Sequence, residues 1–125
     1  MYAVMLVLDD PERLDEVLDS WEKVGVRGAT IIDSTGWQRR RIQRGLLGAR
    51  FNFAALEASG RMEHHNTLFV IVRNKTMVLK TIKATEDIVG DLDGPNTGII
   101  ASWPLDTVKG LPPLKDQEED KEENN

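Results

Sequence analysis

Four arginines lie close together in the middle of the chain, and arginine is the side chain whose planar fork best matches phosphate and carboxylate groups. They are Arg39, Arg40, Arg41 and Arg44. The surrounding segment 36–66 carries six arginines and two acidic residues, although the whole chain has a net charge of −5. We therefore expect these arginines, together with Trp37, to contact an anion or a partner protein.

Two other interpretations of segment 36–66 stay open. The segment could be a solvated loop without a ligand, or its aromatic residues could pack back onto the body of the protein. Nucleic acid is not an expected partner, because the rest of the chain is acidic and few aromatic residues accompany the arginines.

A second candidate site is the glycine-rich stretch 93–98, which reads DGPNTG. Successive backbone N–H groups in such a stretch can surround an anion. The same residue types are equally typical of a tight turn. The spacing differs from that of a P-loop, and no lysine follows. The stretch is therefore either an anion-binding loop or a turn.

The sequence gives weaker evidence for a metal site or a catalytic site. His64 and His65 are adjacent, and adjacent side chains on an extended segment point to opposite faces, so they rarely bind one ion. A site completed by another subunit stays a weak alternative. The chain has no cysteine, which excludes disulfides and thiolate metal sites. We find no Ser-His-Asp arrangement or pair of catalytic carboxylates, and do not expect an enzyme.

The elements that must position these residues follow from the hydrophobic pattern. Short apolar runs bounded by turn residues predict four strands. The strands span residues 2–8, 26–34, 67–72 and 99–103.

Two helices are predicted between the strands. The first runs from the cap residue Asp10 to Gly25, and its apolar stripe places Trp21 in the core. The second begins at Asn74 or Thr76. Shorter elements are expected within 46–58, as a helix, and within 106–111.

This order predicts an α+β domain with a ferredoxin-like βαββαβ sandwich over residues 1–111, interrupted by the long insertion 36–66 between strands 2 and 3. Residues 112–125 read as a disordered acidic tail. Both helices should cover one face of the sheet, so the other face favours a homo-oligomer. No apolar run reaches the roughly 18 residues of a membrane span, and no signal peptide is evident. We expect a cytoplasmic protein without membrane insertion.

Two stretches then carry a family resemblance. Residues 11–17 read PERLDEV at the start of the first helix, and residues 24–30 read VGVRGAT before the second strand. With Gly98-Ile99-Ile100 and Pro104-Leu105-Asp106, they resemble the PII signal-transduction family over roughly residues 1–36 and 67–108. The insertion 36–66 occupies the place of the family's T-loop.

The resemblance implies a homotrimer that binds an adenine nucleotide in clefts between subunits and regulates a transporter or enzyme through the T-loop. It also implies which residues bind the nucleotide. They are Gly28, Ala29, Thr30, Thr35, Gly36, Gly94, Asn96, Thr97 and Gly98.

The chain departs from the family pattern at charged positions. Gly98 stands where PII proteins have a phosphate-binding lysine, and only Lys109 lies near the place of an arginine pair. Arg40 aligns with the glutamine linked to magnesium and 2-oxoglutarate, although Gln38 is close. The T-loop tyrosine is absent. We therefore expect an effector with fewer phosphates than ATP, or another anion. A metal-binding trimer similar to the CutA family, or a structural oligomer without a small ligand, is the alternative.

Overall fold

A computed structural model describes residues 1–37 and 65–112 of the chain. It shows an α+β protein with a four-stranded antiparallel sheet and two helices, which confirms the expected class and is compatible with a ferredoxin-like fold. The elements are β1 (Tyr2–Leu8), a 3₁₀ turn (Pro11–Arg13), α1 (Leu14–Lys23), β2 (Thr30–Ser34), β3 (His65–Val72), α2 (Lys75–Val89) and β4 (Gly98–Pro104).

The strands are ordered β2-β3-β1-β4, and each neighbouring pair is antiparallel. On β1, Val4, Leu6 and Leu8 are fully buried, and the intervening Met5 and Val7 are half-buried. This alternation follows from the two-residue period of a strand, which sends successive side chains to opposite faces. One face of the sheet therefore belongs to the core.

The core is completed by the two helices, which pack against each other. Trp21 on α1 is only 1% exposed, as the sequence predicts for its largest core residue. Its indole Nε1–H donates a hydrogen bond of 2.8 Å to the Thr85 hydroxyl on α2. The Thr85 hydroxyl in turn donates to the Thr81 carbonyl oxygen at 2.7 Å. The polar groups that link the helices are therefore satisfied inside the core.

The second strand begins at Thr30, so its predicted start at Val26 is wrong. The reason is the end of α1. The Gly25 N–H donates to the Glu22 carbonyl at 3.0 Å, and the Val26 N–H donates to the Trp21 carbonyl at 3.0 Å. This is a Schellman motif, with Gly25 at φ +99°. Val26 therefore belongs to the helix end.

Other element boundaries are now defined. The side chain of Asn74 accepts a hydrogen bond from the Met77 N–H at 2.9 Å, so Asn74 and not Thr76 caps α2. The third strand begins at His65, two residues before its predicted start. Residues 106–111 form no helix or strand, so the short element predicted there is wrong.

The helix predicted within 46–58 lies outside the described residues, as do most of the insertion 36–66 and residues 113–125 of the tail. No helix in the two described stretches is long and apolar enough to cross a membrane.

We expect Thr85→Val to lower the free energy of unfolding by about 1–3 kcal/mol, because it removes the acceptor of the buried Trp21 N–H and leaves that donor unsatisfied. Urea denaturation measures the change. Thr81→Val is the matched control, since Thr81 is equally buried on the same helix but does not bond Trp21. Equal losses in both variants would contradict the role given to Thr85.

Candidate functional site

The predicted nucleotide-binding residues Gly28, Ala29 and Thr30 line a pocket of about 550 Å³ beside β2. Its apolar surface includes Phe69 and Ile71 of β3, and Thr30 lies directly opposite Phe69 in the sheet. Pockets that hold small molecules typically have volumes of about 300–1,000 Å³ and mostly apolar walls. The pocket has the size and the walls of a small-molecule site.

Gly28 shapes the chain before this pocket. Its φ is +71°, and a Cβ added there would meet no heavy atom within 4 Å. The left-handed backbone conformation explains the glycine, because side chains disfavour it. Close approach of a neighbour does not explain this glycine, because no heavy atom of the described residues lies near the added Cβ.

The predicted phosphate loop between α2 and β4 uses its own N–H groups internally. The N–H groups of Asp93 and Gly94 donate to the side chain and the carbonyl oxygen of Asp91, both at 2.9 Å. The Leu92 N–H donates to the Glu86 carboxylate at 3.0 Å. An anion would therefore have to find its donors elsewhere in the loop.

Thr97 also bonds within this loop. Its hydroxyl lies 3.1 Å from the Asp91 carbonyl oxygen and 3.2 Å from that of Gly94. Asn96 adopts φ +61°, the only positive φ at a residue other than glycine among residues 1–37 and 65–112. Asparagine tolerates this conformation better than most residues. These features are those of a tight, internally bonded turn.

Gly98 is required by the path of the backbone. It pairs with Leu8 at the start of β4, its φ is +135°, and an added Cβ would overlap the carbonyl oxygen of Val7. No side chain fits here without displacing β1 or β4. The glycine at this position therefore has a structural reason, and a lysine here would meet the same overlap.

The structure does not bring the predicted nucleotide-binding residues together within one chain. Gly28–Thr30 lead into β2 at one edge of the sheet, whereas Gly94–Gly98 lead into β4 at the other edge. Three strand spacings of about 4.8 Å separate the edges by roughly 14 Å. A small ligand that used both sets would need them from different copies of the chain.

A polar cluster that the sequence analysis did not identify joins β2 to β3. The Ser34 hydroxyl lies 2.7 Å from Nδ1 of His65 and 2.8 Å from the Thr67 hydroxyl. Ser34 also donates to the His65 carbonyl oxygen at 3.2 Å. The signal was hidden because residues 31 and 33 positions apart meet only when the strand register is known.

The Ser34–His65 pair does not have the arrangement of a catalytic nucleophile and base. In the serine triad the hydroxyl donates to Nε2, while Nδ1 is held by a carboxylate. Here the hydroxyl faces Nδ1, and it is shared with a backbone carbonyl and with Thr67. The cluster fixes the pairing of β2 with β3.

The remaining predicted nucleotide-binding residues, Thr35 and Gly36, follow this cluster at the end of β2. A Cβ added at Gly36 would lie 3.1 Å from Nε2 of His65, closer than an ordinary contact. Trp37 is 65% exposed. The predicted anion contacts Arg39, Arg40, Arg41 and Arg44 lie outside the described residues, as does His64.

The weak alternative of a metal site named His64 and His65 as ligands. Of these, His65 is 7% exposed and its Nδ1 contacts Ser34. Within the described parts of the chain, no group of three or more histidine, cysteine, aspartate or glutamate side chains is placed to hold a metal ion.

Comparisons with known proteins give no family. A scan against models of protein families and a search of curated proteins found no match to this chain. The resemblance to PII proteins therefore stays a prediction that rests on the residues themselves.

We expect Gly98→Ala to destabilise the protein by more than about 2 kcal/mol, since it combines an unfavourable φ with overlap of the Val7 carbonyl. Gly110→Ala is the control. Its φ is +92° but its added Cβ meets no atom within 4 Å, so the cost should be about 1 kcal/mol. Thermal or urea unfolding measures the stability of both variants. Equal losses in Gly98→Ala and Gly110→Ala would refute the close contact between β1 and β4.

Proposed function

We propose that the chain is a PII-like regulatory protein of the cytoplasm with a ferredoxin-like βαββαβ fold. It binds a small anionic effector, an adenine nucleotide, in clefts between the subunits of a homotrimer. It regulates a transporter or enzyme through the T-loop-like insertion 36–66. The effector acts by favouring the state that binds the partner.

The observation that carries this proposal is the pocket formed by Gly28, Ala29 and Thr30. It places residues to which the PII resemblance assigns nucleotide binding beside Phe69, whose ring offers an apolar surface for a flat base. The walls match the base better than they match phosphate, since most of them are apolar.

The α2–β4 loop supports an effector with few phosphates. Its N–H groups at Leu92, Asp93 and Gly94 already have acceptors, and the side chains of Asp91 and Asp93 are acidic. Carboxylates repel a polyphosphate. AMP or ADP therefore suits this loop better than ATP does.

Self-association, which the proposed trimer requires, is supported by the face of the sheet opposite the helices. That face includes several large hydrophobic side chains that are 38–65% exposed in the single chain: Ile32, Ile71, Ile99 and Trp103. An apolar patch of this kind is uncommon on a monomer and usually marks an interface.

We expect AMP or ADP to raise the melting temperature, because a ligand at about 100 times its Kd adds roughly 2.7 kcal/mol of stability. Thr30→Trp should abolish the rise by filling the pocket. Thermal-shift titrations of the full chain measure both. Because Thr30 lies on the same sheet face as Ile32 and Ile71, light scattering must also show that the variant keeps the mass of the wild type.

Ile31→Trp is the matched control for that experiment. Ile31 is the next residue of β2, is 44% exposed and points to the opposite face. It should keep the nucleotide response. If Thr30→Trp retains the response, the pocket is not the nucleotide site; if no nucleotide shifts the wild-type chain, the structural-oligomer alternative replaces the sensor.

We expect Ile99→Glu to convert the trimer to monomers, because it places a charge on the apolar sheet face. Leu79→Glu on α2 should leave the trimer intact, although Leu79 is nearly as exposed, at 59% against 65%. Size-exclusion chromatography with light scattering measures the mass. A wild-type monomer, or dissociation by Leu79→Glu alone, would contradict the sheet-face interface.

A further inference from the structure

A smaller pocket lies at the end of β3, next to the candidate nucleotide pocket, with which it shares Arg27, Ile71, Leu111 and Pro112. It has a volume of about 160 Å³ and lies between the end of α1 and the start of α2. Its lining includes two arginines, Arg27 and Arg73, and we call it the Arg27–Arg73 pocket.

The floor and walls of this pocket are apolar. Val26 and Val72 contribute buried side chains that are 6% and 4% exposed. Met77 also lines it, with its Cε 3.7 Å from the point that a Cβ on Gly25 would occupy. Leu111 and Pro112 close another side. An apolar group would be well accommodated here.

Both arginines lack a partner in the described part of the chain. The ion pairs there are Arg13–Glu16 and Lys83–Asp87. Neither Arg27 nor Arg73 is among the residues with a hydrogen bond or ion pair. Arg27 is exposed and Arg73 is half-buried, so both guanidinium groups are available to an anion beside the apolar cavity.

We propose that the Arg27–Arg73 pocket binds a small organic acid, an apolar body that carries one carboxylate. The body occupies the space between Val26, Val72 and Met77. The carboxylate is held by the guanidinium groups, which match its planar geometry with paired N–H donors. The pocket is smaller than a typical nucleotide or drug site, so its ligand is a smaller molecule than the nucleotide of the proposed function.

The probe is benzoate, titrated into the ¹⁵N-labelled full chain and followed by two-dimensional NMR. We expect saturable shifts of the amide signals around residues 25–27 and 72–77. Acetate has the carboxylate but no ring, and benzamide has the ring but no charge. Neither should produce these shifts at the concentration at which benzoate does.

Two variants test the arginines, and a third is the control. Arg27→Gln and Arg73→Gln should each weaken benzoate binding by about tenfold or more, the usual effect of losing one charge-assisted hydrogen bond. Arg13→Gln removes an exposed arginine that follows the C-terminal end of β1, whereas the pocket lies beside the start of β1, where Tyr2 pairs with Val72. This variant should change the affinity by less than about twofold. Since the two pocket arginines make no internal bonds, their variants should fold normally, which their own spectra verify.

The proposal is overturned if benzoate gives no saturable shift up to about 10 mM, well above a millimolar Kd. It is also overturned if benzamide binds equally well, or if Arg13→Gln weakens binding as much as the pocket variants. Thr30 lines only the candidate nucleotide pocket and Arg73 only the Arg27–Arg73 pocket, whereas Arg27 lines both. Thr30→Trp therefore tests the nucleotide and Arg73→Gln tests the organic acid, so each proposal can fail without the other.

Discussion

The hydrogen bond between Trp21 and Thr85 is the interaction on which the arrangement of the helices depends. A buried indole N–H must find an acceptor, and Thr85 is placed to supply one only when α1 and α2 meet at one register. The surrounding apolar contacts supply most of the stabilisation, but they would tolerate small rotations or shifts of a helix. The polar bond therefore adds specificity to a core that hydrophobic burial makes stable, and it fixes the helix ends from which the pocket-lining segments leave.

Left-handed backbone positions then direct those segments. Gly25 ends α1 and turns the chain toward β2, Gly28 turns it again before the pocket, and Gly98 brings β4 against β1. At each of these positions glycine adopts a positive φ that a residue with a Cβ would disfavour. The family-like turn at residues 24–30 is thus explained by local geometry as well as by any ligand, and the pocket beside it is the observation that favours a ligand.

The hydrophobic pattern was enough to predict the fold class, the strands, both helices and the burial of Trp21, because these depend on periodicity and caps. It could not place the start of β2, because Val26 is held at the end of α1 by the backbone hydrogen bonds of a Schellman motif. A glycine after a helix permits such bonds but does not require them, so the sequence alone does not predict them. The Ser34–His65 contact and the Arg27–Arg73 pocket depend on strand register and on how separate elements meet. The residue types at 93–98 are equally typical of a turn and of an anion site, and the internal bonds of this stretch favour the turn.

The separation of the two sheet edges has a thermodynamic consequence. If one effector molecule contacts the turn before β2 of one copy and the loop before β4 of another, its binding is linked to self-association. The apparent affinity for the effector would then fall on dilution, and the effector would in turn hold the subunits together. Such a protein would report the amount of effector and its own abundance in one signal.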